Sequence, residues 1–337
     1  MPPVPTFYVS EQIHSDAVAE LSRMGQVHLG YGDVAVAYTD IADTVDAVLL
    51  RAEIFDADKI RNSRNLKIIA RHGVGTDNVD IDVATAASVW VTTTPGSNSR
   101  AVAEHVFALL LSLARKTPAA AAGTAAGEWA ALKPHLTGFE LGGRVLGLLG
   151  FGNIAVTVSE IARGFGMRVL VADPYVADTD IEARGCVPVT LDQLITDADI
   201  ISLHLPLTVD TRNLFDAPTI ARMRPGAILL NTARGGLVDE QALLDALDDG
   251  RLGGAGLDVL DGESDDPKTP LAHSLRIAEY LAANDNLIVT PHVGGQTEES
   301  LRNAGSGAVQ CIRQALAGDT PDNAVNSITP AQPLTVG

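Results

Sequence analysis

Residues 144–175, RVLGLLGFGNIAVTVSEIARGFGMRVLVADPY, decide how the chain folds. An apolar, strand-like run ends at Gly150, a helix-periodic run follows, and a second apolar run ends on Asp173. Gly150, Gly152 and Ala155 fit G-x-G-x-x-G/A, and Asp173 lies 23 residues past Gly150. The glycine pattern alone is a weak signal. Between a strand and a helix it predicts the phosphate-binding turn of a doubly wound sheet. Gly150 permits the tight turn, Gly152 lets the backbone approach a pyrophosphate, and Ala155 keeps helix and strand close. The helix opens at Asn153 and Ile154, where free amides suit phosphate charge. Asp173, followed by Pro174, can accept hydrogen bonds from ribose hydroxyls. Its carboxylate repels the extra phosphate of NADP, and no arginine follows it, so NAD is the expected cofactor.

The same rhythm extends to both sides. Upstream, TFYVS, QVHLG, DAVLLR, NLKIIAR and VWVTTT read as strands alternating with helical stretches such as SDAVAELSRMG. A long helix is expected over SNSRAVAEHVFALLLSLARK, capped near Ser97–Ser99 and closed by basic residues. Then comes an alanine-rich segment as far as Trp129. Downstream, CVPVT, DIISLHL, AILLNTA, GAGLDVL and NLIVTPH are further strand candidates, and a last helix follows His292. Short apolar runs alternating with helices imply parallel sheets covered on both faces. The expected class is α/β, with two Rossmann-like or flavodoxin-like domains, since 337 residues exceed one ordinary core.

Composition narrows the function. The formal charge is −18, from 42 acids against 24 bases. No basic stripe is present, which argues against a nucleic-acid partner. No apolar run is long enough to span a bilayer, and MPPVPTFYVS lacks the features of a secretion signal. Cys186 and Cys311 are far apart, without metal-ligand spacing. A cytoplasmic protein with free thiols and no metal is expected. The acid-rich, lysine-poor composition also suits a salt-adapted source.

Three side chains follow predicted strand ends, where ligands bind in parallel sheets. Arg234, in NTARGGLVDE, precedes two glycines; a guanidinium there can fork onto a carboxylate and its neighbouring carbonyl. Glu263 lies five residues past Asp258 in LDVLDGESDDP, and His292 closes IVTPHVGG. A carboxylate on one imidazole nitrogen fixes the tautomer and favours the protonated ring. Taken singly, each has a plainer reading: a surface arginine, an acidic solvated loop, a structural histidine. Together they suit acid–base chemistry on a 2-oxo acid.

These residues, with RHGVGTDNVDI, SRAVAEHVFALLL, LGLLGFGNIA, LHLPLT, GAGLDVLDGE and PDNAVN, make the chain resemble the D-2-hydroxyacid dehydrogenases. The phosphoglycerate dehydrogenase branch is the most similar. The resemblance covers almost the whole chain and implies catalytic roles for Arg234, Glu263 and His292. Here His292 would exchange the proton, Glu263 support it, and Arg234 bind the carboxylate and carbonyl. It further implies that Val74 and Gly75 hold the substrate carboxylate, with Asn98 nearby, while Asp258 and Gly294 meet the nicotinamide. His204, Pro206, Thr211, Thr232 and Ala233 would line the cofactor. Arg51 matches a position that can reach the far end of the substrate, and His72 can add a donor.

The resemblance implies residues 1–98 plus 293–337 as the substrate domain and 99–292 as the NAD domain, with the active site in the cleft between them. It also implies a homodimer with the segment around Trp129 contributing. Phosphoglycerate/phosphohydroxypyruvate is the expected substrate pair. The alternatives are glyoxylate or hydroxypyruvate, and, in another class, an NAD-sensing corepressor. Two departures stand out: Ser264 follows Glu263 where the family commonly has proline, and the stretch to His292 is long, with an additional predicted helix over residues 270–285.

Overall fold

The computed structural model describes residues 4–263 and 274–328. Ser264 and the first residues of the additional predicted helix lie outside this range; the rest of that helix is present as Leu275–Ala283. The chain forms two compact units, Met1–Asn98 with Gln296–Gly337, and Ser99–Gly295.

The first unit carries a five-stranded sheet. Its strands are β1 (Thr6–Val9), β2 (Gln26–Leu29), β3 (Ala47–Leu50), β4 (Ile68–Arg71) and β5 (Trp90–Thr92), in the order β2-β1-β3-β4-β5. Every pairing is parallel. β3 is buried along its whole length, as a strand covered on both faces must be. On one face the C-terminal helix Glu298–Ala317 sets Ala308, Val309 and Ile312 into a core with Phe7, Val9, Leu49 and Ile68. After that helix the chain returns to β5. Ala324 pairs antiparallel with Thr92, and the Asn326 side chain accepts from the Val91 amide at 2.9 Å.

The second unit holds seven parallel strands. They are β6 (Val145–Leu149), β7 (Arg168–Ala172), β8 (Val187–Pro188), β9 (Ile200–Leu203), β10 (Ala227–Asn231), β11 (Leu252–Leu257) and β12 (Leu287–Val289). Their order is β12-β11-β10-β9-β6-β7-β8. Strand order therefore reverses between β6 and β9, and the Gly150–Gly152 turn opens at that switch point, where doubly wound sheets bind ligands. β8 is a two-residue edge strand, shorter than the CVPVT run suggests. Its proline has no N–H to offer, which blunts the edge against further pairing.

Helices Ser99–Arg115 and Asn153–Gly164 cover one face with Val106, Leu110, Val158 and Ala162. Helices Leu191–Asp197, Ala217–Arg222, Glu240–Asp248 and Leu275–Ala283 lie on the opposite side. Fully buried leucines such as Leu148 and Leu230 each contribute about 1.5–3 kcal/mol of hydrophobic stabilisation. The alanine-rich stretch after Arg115 is helical over Thr117–Ala125, started by Pro118 in its first turn. No helix among the described residues is long and apolar enough to cross a membrane.

The return from the second unit to the first falls after Gly295, so Val293, Gly294 and Gly295 group with the second unit rather than the first. The cause is local. The amides of Val293 and Gly294 are held by the carboxylate of Asp258, at the end of β11.

Candidate active site

The nucleotide turn is fixed from three sides. Gly150 has φ +90, and a Cβ there would press on the carbonyl of His204, so only glycine fits. Asp173, just past β7, accepts from the amide of Phe151 inside the turn and from that of Tyr175, both at 2.8 Å. Helix Asn153–Gly164 begins at Gly152 without a side-chain cap. Its first amides are therefore available to an anion. Thr232 Oγ1 is buried with no hydrogen-bond partner among the described residues; a buried polar atom of this kind calls for a ligand or water. Burial pushes the His204 imidazole down to about 4, and Ser202 pairs with its Nε2 at 3.0 Å. Thr211 donates to the carbonyl of Pro206 at 2.7 Å, closing the turn after β9. An uncapped helix start, a pinned acceptor carboxylate and an orphaned hydroxyl together fit a dinucleotide.

The arginine turn follows β10. Asn231, 1% exposed, receives the Ala233 amide at 3.0 Å and donates to the Arg234 carbonyl at 2.8 Å. This clamp sets the backbone of Arg234, whose guanidinium also donates to the carbonyl of Ala233 at 2.7 Å. Gly235 is required next, since a Cβ would fall on the backbone of Leu260 and Asp261. The arginine turn thereby lies directly against the segment that leads to Glu263.

Glu263 Oε1 meets His292 Nδ1 at 2.6 Å, while Oε2 accepts the Leu260 amide at 3.1 Å. Both carboxylate oxygens are thus oriented. The hydrogen bond that His292 donates to Glu263 raises the His292 pKa above the ordinary histidine value; burial opposes it, the Glu263 and Asp258 charges add to it, and Arg234 opposes it. The imidazole is still about half exposed, at 54%, and its Nε2 is the ring atom not engaged by Glu263. His292 adopts φ +51, an uncommon conformation for a non-glycine residue that costs about 1–3 kcal/mol. Asp258 offsets this cost. Its carbonyl accepts the His292 amide at 2.9 Å, and its buried carboxylate gathers Thr290 Oγ1 at 2.6 Å, Val293 N at 2.9 Å and Gly294 N at 2.7 Å. Burial acts to raise the Asp258 pKa, but His105, Thr290 and the two amides outweigh it and hold the carboxyl below its usual range.

The remaining candidates belong to the first unit. Gly73 donates to Thr94 at 3.0 Å and Arg71 Nε donates to the Gly75 carbonyl at 2.8 Å, which fixes the loop of Val74 and Gly75. Among the described residues no acceptor faces the amides of Val74 and Gly75. Asn98 Oδ1 is likewise buried and unpartnered among them. Arg51 donates to the Gln12 carbonyl at 2.9 Å and to the Gln296 side chain, both neutral. His72 is buried, its Nε2 hydrogen-bonded to the Leu301 carbonyl at 3.0 Å. That bond ties the C-terminal helix to β4 and leaves only Nδ1 for any other partner.

Sequence reading missed three contributors. His105, on helix Ser99–Arg115, meets Asp258 and Thr290. Thr290 follows β12 and bonds to Asp258. Glu240 accepts the Asp261 amide at 2.7 Å and the Ser274 hydroxyl at 2.8 Å, so it grips both flanks of residues 264–273 beside Glu263. Burial raises its pKa against those two bonds. Glu240 lies in the quoted GGLVDE run, the one signal that could have drawn attention to it.

Residues 107–294 match the family model described as D-isomer specific 2-hydroxyacid dehydrogenase, NAD binding domain. The D-3-phosphoglycerate dehydrogenase of Synechocystis sp. is 36% identical over 94% of this chain and 55% of its own length. The chain thus spans little more than half of that relative. The hydroxypyruvate reductase of Thermotoga maritima is 40% identical over 82% of this chain and 86% of its own length. Among solved structures, D-lactate dehydrogenase from Aquifex aeolicus, complexed with NAD and lactic acid, has a TM-score of 0.83 at 28% identity, covering 96% of this chain and 100% of its own. The TT0316 protein of Thermus thermophilus also scores 0.83, at 34% identity, over 95% of this chain and all of its own. The family match runs through the whole sheet that carries the glycine turn, the arginine turn and His292, and the relatives align over most of both units. The chain belongs to the D-isomer specific 2-hydroxyacid dehydrogenase family.

Proposed function

We propose that the protein is an NAD-dependent dehydrogenase that interconverts a small 2-oxo acid and its D-2-hydroxy acid. The observation that carries this reading is the 2.6 Å bond between His292 and Glu263 at the end of a nucleotide-binding sheet. Glu263 holds the imidazole by Nδ1 and stabilises its protonated form, so Nε2 carries a proton for a developing alkoxide. Arg234 supplies the cation that grips the carboxylate and polarises the adjacent carbonyl. In the first unit, the free amides of Val74 and Gly75 suit a carboxylate by their own chemistry. The glycine turn would hold NADH, which would supply the hydride when bound. Asp173 favours NAD, because a phosphate on the ribose would meet a carboxylate already fixed in place.

For the substrate we favour 3-phosphoglycerate and phosphohydroxypyruvate. Arg51 supports this choice, since its bonds to neutral acceptors leave its charge available to a phosphate. A second reading is hydroxypyruvate or glyoxylate: a phosphate dianion wants several cations, and Arg71, the guanidinium next to Arg51, is engaged by the carbonyls of Leu50 and Gly75. The same reading includes a homodimer that covers the segment around Trp129, which is 76% exposed.

The test follows NADH absorbance against phosphohydroxypyruvate, hydroxypyruvate, glyoxylate and pyruvate. Turnover with one or more is expected, and His292→Ala should lower kcat by about 10²–10⁴-fold with little change in NADH affinity. Tight NADH binding without turnover of any of the four acids would replace the enzyme reading with that of a dinucleotide sensor.

A further inference from the structure

We infer that His105 is a positioning residue for the proposed reaction, acting through Asp258 and Thr290 to hold His292. The inference rests on the dehydrogenase reading for its kinetic consequences, but its geometry stands apart from it. His105 Nε2 lies 2.9 Å from Thr290 Oγ1 and 3.3 Å from Asp258 Oδ1. Its side chain is mostly buried, at 18% exposure, and that of Asp258 almost wholly so, at 3%.

Counting hydrogens fixes the arrangement. The Thr290 hydroxyl has one hydrogen, committed to Asp258 at 2.6 Å. The Asp258 carboxylate has none to give. The hydrogen between His105 and this pair must therefore be on Nε2, which donates to the threonine oxygen and the carboxylate together. Without it, the threonine oxygen would lose its donor and the buried carboxylate one of those that stabilise its charge.

What this network holds is the reacting histidine. Thr290 and Val293 flank His292 closely, and both donate to the Asp258 oxygen that His105 also faces. Gly294 donates to the other oxygen. Three residues of the stretch 290–294 are thus held on one carboxylate, and the His292 amide bonds to the Asp258 carbonyl, while His105 on helix Ser99–Arg115 reaches the same carboxylate. His292 sits among them in its left-handed conformation. The molecule then contains two imidazole–carboxylate pairs in series. His292 on Glu263 faces the substrate, and His105 on Asp258 sets where His292 stands.

The experiment compares His105→Leu, which removes the donor, with His105→Gln, whose Nε2 can donate from a similar position. Kinetics are measured per folded molecule, alongside thermal melting, NADH binding and an NMR titration of the histidine ring protons. His292→Ala identifies the His292 signal among the eight histidines. Expected for His105→Leu is a kcat loss of tenfold or more, within the roughly hundredfold that a 1 Å misplacement can cost. The His292 titration midpoint should also move to lower pH, as its hold on Glu263 loosens. His105→Gln should restore both.

A leucine variant that melts earlier but keeps the parental kcat and His292 midpoint would reduce His105 to a packing residue and overturn the inference. Equal impairment in the glutamine variant would overturn it too, since the donated hydrogen would not be the cause. If the parent turned over no 2-oxo acid, the functional reading would fail, while the His292 midpoint would still decide whether His105 positions that ring.

Discussion

Asp258→Asn removes a charge and one acceptor while keeping the shape of the side chain. Its consequence can be worked from the contacts. The carboxylate presents Oδ1 to Thr290, Val293 and His105, and Oδ2 to Gly294. Asparagine has one oxygen. Placing it at Oδ1 keeps more donors satisfied, so its amide nitrogen faces the buried amide of Gly294, donor against donor. Losing that charge-assisted bond and weakening the others costs about 2–4 kcal/mol. This is comparable to the cost of about 1–3 kcal/mol for holding His292 in the left-handed region. The balance that keeps His292 at φ +51 therefore falls to near zero.

Two results should follow. For a unit of this size the melting temperature should drop by about 4–16 °C, at roughly 2–4 °C per kcal/mol. The kcat for 2-oxo acid reduction should fall about a hundredfold, as expected for a catalytic group displaced by 1 Å. Calorimetry and NADH-coupled kinetics measure these. The stability loss has a predictable pH dependence. The folded pKa of Asp258 lies below its unfolded value, which is about 3.9. The stabilisation by its charge is present above that pH and is lost as pH falls through the folded value. The melting curves of parent and variant should then converge in acid. A variant that melts with the parent at neutral pH and turns over at the parental rate would refute the idea that this carboxylate holds His292.

Three further outcomes are expected. Because Glu263 raises the His292 pKa, kcat/KM for reduction should hold at low pH and fall as pH rises through that value; Glu263→Gln should bring the fall to lower pH, and an unmoved profile would sever the pair. Asp173→Ala should lower the preference for NAD over NADP, read as the ratio of the two cofactors' kcat/KM; an unchanged ratio would clear Asp173 of any role in the choice. With a net charge of −18, self-repulsion should make the protein more stable as sodium chloride rises toward molar, and a flat melting temperature would dispose of the salt-adaptation reading.

Much of the fold was legible because its determinants are local. Apolar runs bounded by turn residues mark most of the strands, and the spacing from Gly150 to Asp173 marks a βαβ unit that few other arrangements satisfy. β8 came out shorter than its apolar run because a proline and an edge position limit pairing more than hydrophobicity promotes it. The site was harder to read. That Glu263 meets His292 depends on the Leu260 turn and on Gly235 letting two loops touch, neither of which has a periodic signature. His105 was hidden more deeply. Within AEHVFALLL it reads as a polar residue on an apolar helix, and its partner Thr290 is 185 residues away. Only the folded sheet brings them together.

The two carboxylates beside His292 show why residue type alone could not assign their roles. Asp258 and Glu263 are five positions apart and both stand near an imidazole. Asp258 is 2% exposed, and donors from two segments, His105 on its helix and the stretch 290–294, fix its oxygens. A carboxylate so surrounded stays ionised and immobile, which suits holding a backbone in place. The Glu263 side chain is 21% exposed and turns one oxygen to a ring that is itself half open to solvent. A carboxylate there can respond as that ring gains or loses a proton, which suits an acid–base pair. Environment, set by how far each residue lies past the end of β11, would separate a brace from a proton-handling partner. The assignment carries a condition: exchanging the depths, by opening a cavity beside Asp258, would give the brace a titration of its own and blur the single pH transition expected for His292.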